Sequence, residues 1–185
     1  MDKNILVILG PAGSGKSTQS DLIAKNYNYK KITISSVLKE EVQKKTKLGK
    51  ELNSTMLQGE LVPYKISCDL LFKKIKKTRF KNILIDGFPR QIEQAIVFDY
   101  FLYTSKYNLK NIIYIDVPRR ECVKRLIIRK RKDDTKIAIN KRLYIYVKET
   151  KKVLSKYRSE KLLLHVNGYD QINNVFSEIK KKIKI

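Results

Sequence analysis

Gly10-Pro11-Ala12-Gly13-Ser14-Gly15-Lys16-Ser17 places glycines, a lysine and a hydroxyl at the spacing G-x-x-x-x-G-K-[ST]. That combination suits phosphate. Glycines let the backbone wrap closely around an anion with its N–H groups turned inward. A helix beginning at the end of the loop adds partial positive charge. Lys16 offers a point charge to the outer phosphates, and Ser17 or Thr18 offers a hydroxyl towards Mg²⁺. The loop alone does not separate a kinase from a GTPase or an ATPase motor. A second string, Asp86-Gly87-Phe88-Pro89-Arg90, sets a carboxylate and a guanidinium four residues apart.

Arginine usage points the same way. Lysine and arginine together number 41, yet only nine are arginine: residues 79, 90, 119, 120, 125, 129, 131, 142 and 158. A planar guanidinium grips phosphate through two parallel hydrogen bonds, whereas an ammonium is a point charge. A chain that uses lysine almost everywhere else reserves arginine for places where that geometry matters.

These residues need elements to position them. Lys3–Leu9 is a short apolar run that predicts a buried strand before the loop, and Lys16–Tyr27 has helical spacing after it. Lys31–Ile34 reads as a second strand. Ser35–Gly59 reads as two helices broken near Gly49, and Pro63 opens a third that runs to about Lys77. Strands at Asn82–Ile85, Ile112–Val117 and Lys161–Val166 alternate with helices at Gln91–Lys106, Arg119–Arg131, Ile137–Tyr157 and Gln171–Ile183. A polar turn is expected at Lys132–Lys136. Alternation of this kind, with continuous apolar strands, predicts an α/β fold: a five-stranded parallel sheet flanked by helices. Right-handed crossovers put the strand C-terminal ends along one edge, where ligands bind. Both strings fall at such ends.

Together the loop and Asp86–Arg90 resemble the adenylate kinase family of nucleoside monophosphate kinases, which includes the UMP/CMP kinases. The string Asp-Gly-Phe-Pro-Arg is highly specific to that family, and the resemblance runs over essentially the whole chain. No Asp-x-x-Gly follows the third strand and no Asn-Lys-x-Asp is present, which opposes a GTPase. The resemblance implies a P-loop NTPase fold in a single domain, 1–185. It carries a helical monophosphate-binding segment, 35–77, and a short lid, 130–137. It implies transfer of the ATP γ-phosphate to a monophosphate, with Mg²⁺ held by Ser17 and, through water, by Asp86.

Site residues carry over on the same basis. Gly10, Ala12, Gly13, Ser14, Gly15, Lys16, Ser17 and Thr18 would hold the donor phosphates. Arg90 resembles the clamp on the acceptor's phosphate, and Gln94 takes the position that hydrogen-bonds the acceptor base. Gly59, Leu61 and Val62, with Gly87, Ile34 and Lys39, complete that pocket. Arg125 and Arg129 match two arginines, one stacking on the donor adenine and one reaching phosphate. Arg131 and Arg142 match two more phosphate-binding arginines, and Arg131–Asp134 resembles the base of the lid. Gly168 matches the turn beside the donor adenine. Catalysis would rest on Lys16, Arg90, Arg125, Arg129, Arg131 and Arg142, with no protein nucleophile. An amide such as Gln94 can turn over to suit either adenine or a pyrimidine. AMP is the expected acceptor, with UMP or CMP as the alternative.

The stretch Thr33-Ile34-Ser35-Ser36-Val37-Leu38-Lys39 departs from the family, which has Ser-Thr-Gly-Asp, two hydrophobic residues and Arg. Ser36 removes a carboxylate and Lys39 a bidentate grip. That change, with the formal charge of +23, favours a second reading: a non-catalytic nucleotide-binding or RNA-associated protein. The retained Asp86, Arg90 and arginine set oppose it. The charge is spread along the chain without basic–aromatic alternation, as compositional drift would leave it, so neither nucleic acid nor membrane is expected as partner. No apolar run approaches the roughly 20 residues that cross a bilayer. The expectation is a cytoplasmic monomer. Cys68 and Cys122 are reduced thiols outside any Cys-x-x-Cys pair, and no zinc is expected.

Overall fold

The computed structural model describes residues 3–129, 131 and 134–183. Five parallel strands form one sheet in the order β2-β3-β1-β4-β5. They are β1 (Asn4–Leu9), β2 (Lys30–Thr33), β3 (Asn82–Asp86), β4 (Asn108–Asp116) and β5 (Leu163–Asn167). The helices are α1 (Lys16–Tyr27), α2 (Ile34–Gln43), α3 (Lys47–Leu57), α4 (Tyr64–Lys77), α5 (Ile92–Ser105), α6 (Arg119–Arg129), α7 (Lys136–Ile145), α8 (Lys151–Ser159) and α9 (Ile172–Lys182). Among the described residues no helix is long and apolar enough to cross a membrane.

The central strand shows why both faces are covered. Successive side chains alternate across a strand. Ile5, Val7 and Leu9 therefore enter one core, shared with Leu71 and Ile75 of α4, Phe98 of α5 and Tyr157 of α8. Leu6 and Ile8 enter a second core on the other face, with Ile23 of α1, Leu126 of α6 and Ile179 of α9. Burying each such side chain contributes about 1.5–3 kcal/mol. A strand with two wet faces could not use this run. Cys68 lies in the first core and Cys122 in the second, on opposite faces of the sheet.

Several boundaries differ from the sequence reading. The break between the first two inserted helices comes at residues 44–46 rather than near Gly49. Lys45 has φ +56°, and the Thr46 hydroxyl accepts from the Gly49 amide at 3.0 Å, capping α3. Gly49 instead lies within α3 where it crosses α2: a Cβ there would come within 2.8 Å of the Glu41 carbonyl oxygen. The strand expected at Lys31–Ile34 ends at Thr33, and Ile34 opens α2. β4 begins at Asn108 rather than Ile112, because its first residues alternate between exposed and half-buried positions and so lack a continuous apolar run. The single long helix expected at Ile137–Tyr157 is α7 and α8 joined by a π-helical turn, Tyr146–Thr150. Of the segment expected as a lid, Lys130, Lys132 and Asp133 lie outside the described residues.

Candidate active site

The strand ends bring the chemistry-bearing residues to one edge. β1 ends at Leu9, and Gly10–Gly15 turns back into α1. Gly13 and Gly15 adopt φ +85° and +84°, in the left-handed region open to glycine. Gly13 is also sterically tied, since a Cβ would come within 2.5 Å of the Cys122 carbonyl oxygen. The loop is thus wedged between β1 and α6.

A cavity of about 450 Å³ opens in front of this loop. Gly10, Ala12, Gly13, Gly15, Lys16, Ser17 and Thr18 form one wall. Asp86, Gly87, Arg90 and Gln94 also line the cavity, as do Ile34, Lys39, Gly59, Leu61 and Val62. Arg125, Arg129, Arg131 and Arg142 close the remaining side. Ser14 and Gly168 line an adjoining groove that shares Gly15, Thr18 and Arg125 with the main cavity. Every site residue expected from the sequence therefore lies in one of two connected depressions.

The electrostatics suit an anion. The Lys16 ammonium donates to the Pro11 carbonyl at 3.0 Å. Burial draws its pKa down to about 8; Asp86 opposes the fall, while Arg90 and Arg129 add to it. Burial also works against the charge on Arg90, with Asp86 supporting it and Arg142 repelling it. Cations held together against their own repulsion mark a place awaiting negative charge.

Asp134 organises two of them. Its carboxylate accepts from Arg129 Nε at 2.9 Å and Nη2 at 2.8 Å, and from Arg142 Nη1 at 3.0 Å. Burial alone would raise its pKa. Hydrogen bonding and charge from Arg129, with the charge of Arg142, outweigh that and hold it below the ordinary carboxylate value. Arg125 is fixed separately, by Glu121 at 2.8 Å and by the Gly168 carbonyl at 3.2 Å.

Arg90 is anchored at three points. Its amide donates to Gln94 Oε1 at 2.7 Å, its Nε donates to the Gly87 carbonyl at 2.7 Å, and its carbonyl accepts from the Thr150 hydroxyl at 3.1 Å. The π-helical turn places Thr150 for this contact. Gln94 is equally constrained. Its Oε1 accepts from the Arg90 and Gln91 amides, at 2.7 and 3.3 Å, and its Nε2 donates to Ser67 Oγ at 2.9 Å. Two backbone N–H groups must meet an oxygen. The amide expected to turn over freely is therefore fixed in one orientation.

Asp86 is buried, and its Oδ2 has no hydrogen-bond partner. Such an oxygen calls for a cation or a metal-bound water. The hydroxyls of Ser17 and Thr18 line the same cavity, and carboxylate and hydroxyl oxygens are the donors that Mg²⁺ favours. The residues present fit that ion.

Sequence reasoning gave no role to Ser67, Thr150 or Lys31, and took Asp134 only as part of the base of the lid. Lys31 donates to Ser17 Oγ and to the Ser17 carbonyl, both at 3.0 Å, and stands 3.7 Å from Asp86 Oδ2. A pair of acids, Asp133-Asp134, within a strongly basic stretch could have drawn notice to Asp134. Nothing local distinguishes the other three, which act across the fold. Ser36 is exposed and donates to the Thr33 carbonyl at 2.8 Å.

Known proteins resemble this chain over nearly its whole length. The family described as adenylate kinase matches residues 8–162. An adenylate kinase from Prochlorococcus marinus (strain MIT 9515) is 32% identical, covering 98% of this chain and 99% of that protein. One from Methanothrix thermoacetophila is 33% identical, over 95% and 96%. One from Bacteroides thetaiotaomicron is 34% identical, over 94% and 95%. With the phosphate loop, the Asp86–Arg90 turn and the arginine cluster all facing one cavity, the chain is a phosphotransferase belonging to the adenylate kinase family.

Proposed function

We propose that the chain transfers the γ-phosphate of ATP to AMP, giving two ADP. The observation that carries the choice of acceptor is the fixed Gln94 amide. Its oxygen is taken by two backbone N–H groups and one Nε2 hydrogen by Ser67. The remaining Nε2–H is a donor and needs an acceptor on the base. Adenine N1 and cytosine N3 carry lone pairs at the corresponding ring position. At that ring position uracil N3 and guanine N1 carry hydrogens and set donor against donor, leaving the neighbouring O4 or O6 carbonyl as the acceptor to reach. Buried unpaired donors discriminate strongly. This opposes UMP and GMP and leaves AMP and CMP. The apolar wall of Ile34, Leu38, Met56 and Val62 favours the larger face of a purine, as do the names of the relatives above.

The acceptor phosphate is already an anion, so the protein supplies position and charge. Lys16 and the loop N–H groups hold the donor's phosphates, and Arg125 and Arg129 steady the donor. Arg90 clamps the acceptor's phosphate. Arg131 and Arg142 offset charge on the transferring group. Asp86, with Ser17 or Thr18, would hold Mg²⁺, which when bound neutralises charge between donor phosphates. The segment 35–77 closes over the acceptor and excludes water. The same reading takes the chain to act as a monomer in the cytosol on free nucleotides.

A coupled assay of ADP formation tests this. The measure is kcat/KM for AMP, CMP, UMP and GMP at saturating ATP-Mg. AMP should lead. A tenfold advantage of CMP or UMP, about 1.4 kcal/mol of transition-state preference, overturns the choice of acceptor.

A further inference from the structure

Asp86 is a buried carboxylate lining a cavity built for polyanions, and Oδ2 has no hydrogen-bond partner. Left alone, it would repel a nucleotide's phosphates. Ser36 supplies no second carboxylate here; its hydroxyl turns to the Thr33 carbonyl. What stands beside Asp86 is an ammonium. Lys31 pairs with Leu84 in the sheet register, as Thr33 pairs with Asp86, so the four residues share one face of β2 and β3. From that face the Lys31 stem runs under the first turn of α1. Its ammonium donates to Ser17 Oγ, the Ser17 carbonyl and Asp21, at 2.9–3.0 Å. Its fourth neighbour is Asp86 Oδ2 at 3.7 Å, in ion-pair range but beyond a hydrogen bond. The Lys31 side chain is only 18% exposed, so solvent screens this pair less than a surface pair. Three of its contacts fix the ammonium at the corner where Asp86 and the Ser17 hydroxyl meet.

We propose that Lys31 is a resident cation for Asp86, a positioning residue that neutralises the carboxylate when no divalent ion stands beside it. It thereby sets how strongly ATP binding depends on metal. With Lys31 present, an ammonium shared with the exposed Asp21 offsets the Asp86 carboxylate that metal-free ATP meets. Without it, Asp86 is left to Lys16 and Arg90, the cations that also serve phosphate, whereas a nucleotide carrying its own divalent ion brings a further cation to it. Removing the ammonium should thus weaken metal-free binding selectively and increase the coupling between metal and nucleotide. The inference rests on the ATP-binding reading of the loop and is independent of which monophosphate is phosphorylated.

The test is ATP binding by calorimetry in two buffers, one with excess EDTA and one with saturating Mg²⁺. The quantity read is the ratio of the two dissociation constants. Lys31→Met should widen that ratio at least about fivefold, almost entirely through weaker binding in EDTA. Lys31→Gln keeps a polar end for Ser17 without charge and should widen it likewise, which guards against a folding defect in the methionine variant. Lys31→Arg should restore it to within about twofold of the wild type, because the charge is the operative feature. A ratio unchanged within twofold in both neutral variants overturns the proposal. A widened ratio that arginine leaves uncorrected overturns it too, since shape rather than charge would then be responsible. Failure of the wild type to bind ATP in either buffer sinks the functional reading itself, a result distinct from an unchanged ratio.

Discussion

The two ends of the cavity are built on different principles. At the loop end, consecutive residues do the work: Gly10–Ser17 shapes an anion cradle from its own backbone, and β1 and α1 follow directly on either side. At the opposite end, the working residues also draw on supports remote in sequence. The Gln94 Nε2 is set by Ser67, 27 positions away, and the Arg90 backbone carbonyl by Thr150, 60 positions away. The loop end is a local motif, tied to the rest of the fold at Gly13 by Cys122 and at Ser17 by Lys31. The far end is a tertiary assembly whose selectivity sits in its supports. The departures from the family's pattern at Ile34, Ser35, Ser36 and Lys39 also fall at the far end.

The largest effect should come from Arg90, where a residue touching substrate also depends on distant support. Arg90→Ala should lower kcat by about 10²–10³-fold, the scale of losing a preorganised charge at the transferring group. Its melting temperature should fall by no more than about 4 °C, since the side chain gives up one hydrogen bond, to Gly87. Near wild-type turnover would remove Arg90 from the mechanism.

The loop end should respond to pH instead. Lys16 has its pKa lowered to about 8 by burial, so it carries its charge below that value and loses it above. ATP prefers the charged form, so affinity should be flat below pH 8 and fall by up to about tenfold per unit as pH rises beyond it. Lys16→Arg stays charged throughout and should flatten the curve. A wild-type dissociation constant that is constant from pH 7 to about pH 9.5 would show that Lys16 does not titrate in this range.

Ser67 tests whether the supports carry selectivity. Ser67→Ala removes the acceptor that fixes one Gln94 hydrogen, worth about 1 kcal/mol. The ratio of kcat/KM for AMP over UMP should shrink about fivefold, with kcat for AMP changing less. An unchanged ratio would mean that the two backbone N–H groups alone orient the amide.

The smallest effect is expected from restoring the departed positions. Ser36→Asp with Lys39→Arg should raise kcat/KM for the monophosphate about two- to threefold, through a bidentate grip and an added carboxylate. Lys39 lines the cavity while exposed, and Ser36 is exposed beside it. A lower value would show that the far end has already adapted to serine and lysine.

The same contrast explains what could be read from the sequence. The strand and helix order follows from apolar runs such as Ile5–Leu9, which feed two cores at once. The loop and Asp86–Arg90 are legible because backbone chemistry and strand-end position are both local. Gly49 misled because a glycine inside a helix reads as a break, whereas here it lets α2 and α3 touch. The π-helical turn left no trace in the periodicity of Ile137–Tyr157, although it is what carries Thr150 to Arg90. Gln94 was found by position, but its fixed orientation depends on Ser67 and the Arg90 amide, which no spacing along the chain connects. Lys31 looked like one lysine among many until β2 set it beside Asp86.

The orientation of Gln94 is the central claim, and AMP against IMP tests it most directly. The two differ only on the edge facing the amide: IMP carries a hydrogen on N1 and a carbonyl in place of the amino group. With Oε1 held by the Arg90 and Gln91 amides, the amide cannot turn to accept that hydrogen. The account predicts kcat/KM for IMP at least about 100-fold below that for AMP at saturating ATP-Mg. An IMP value within tenfold of AMP would contradict it, because the amide would then be free to turn and could not select the acceptor.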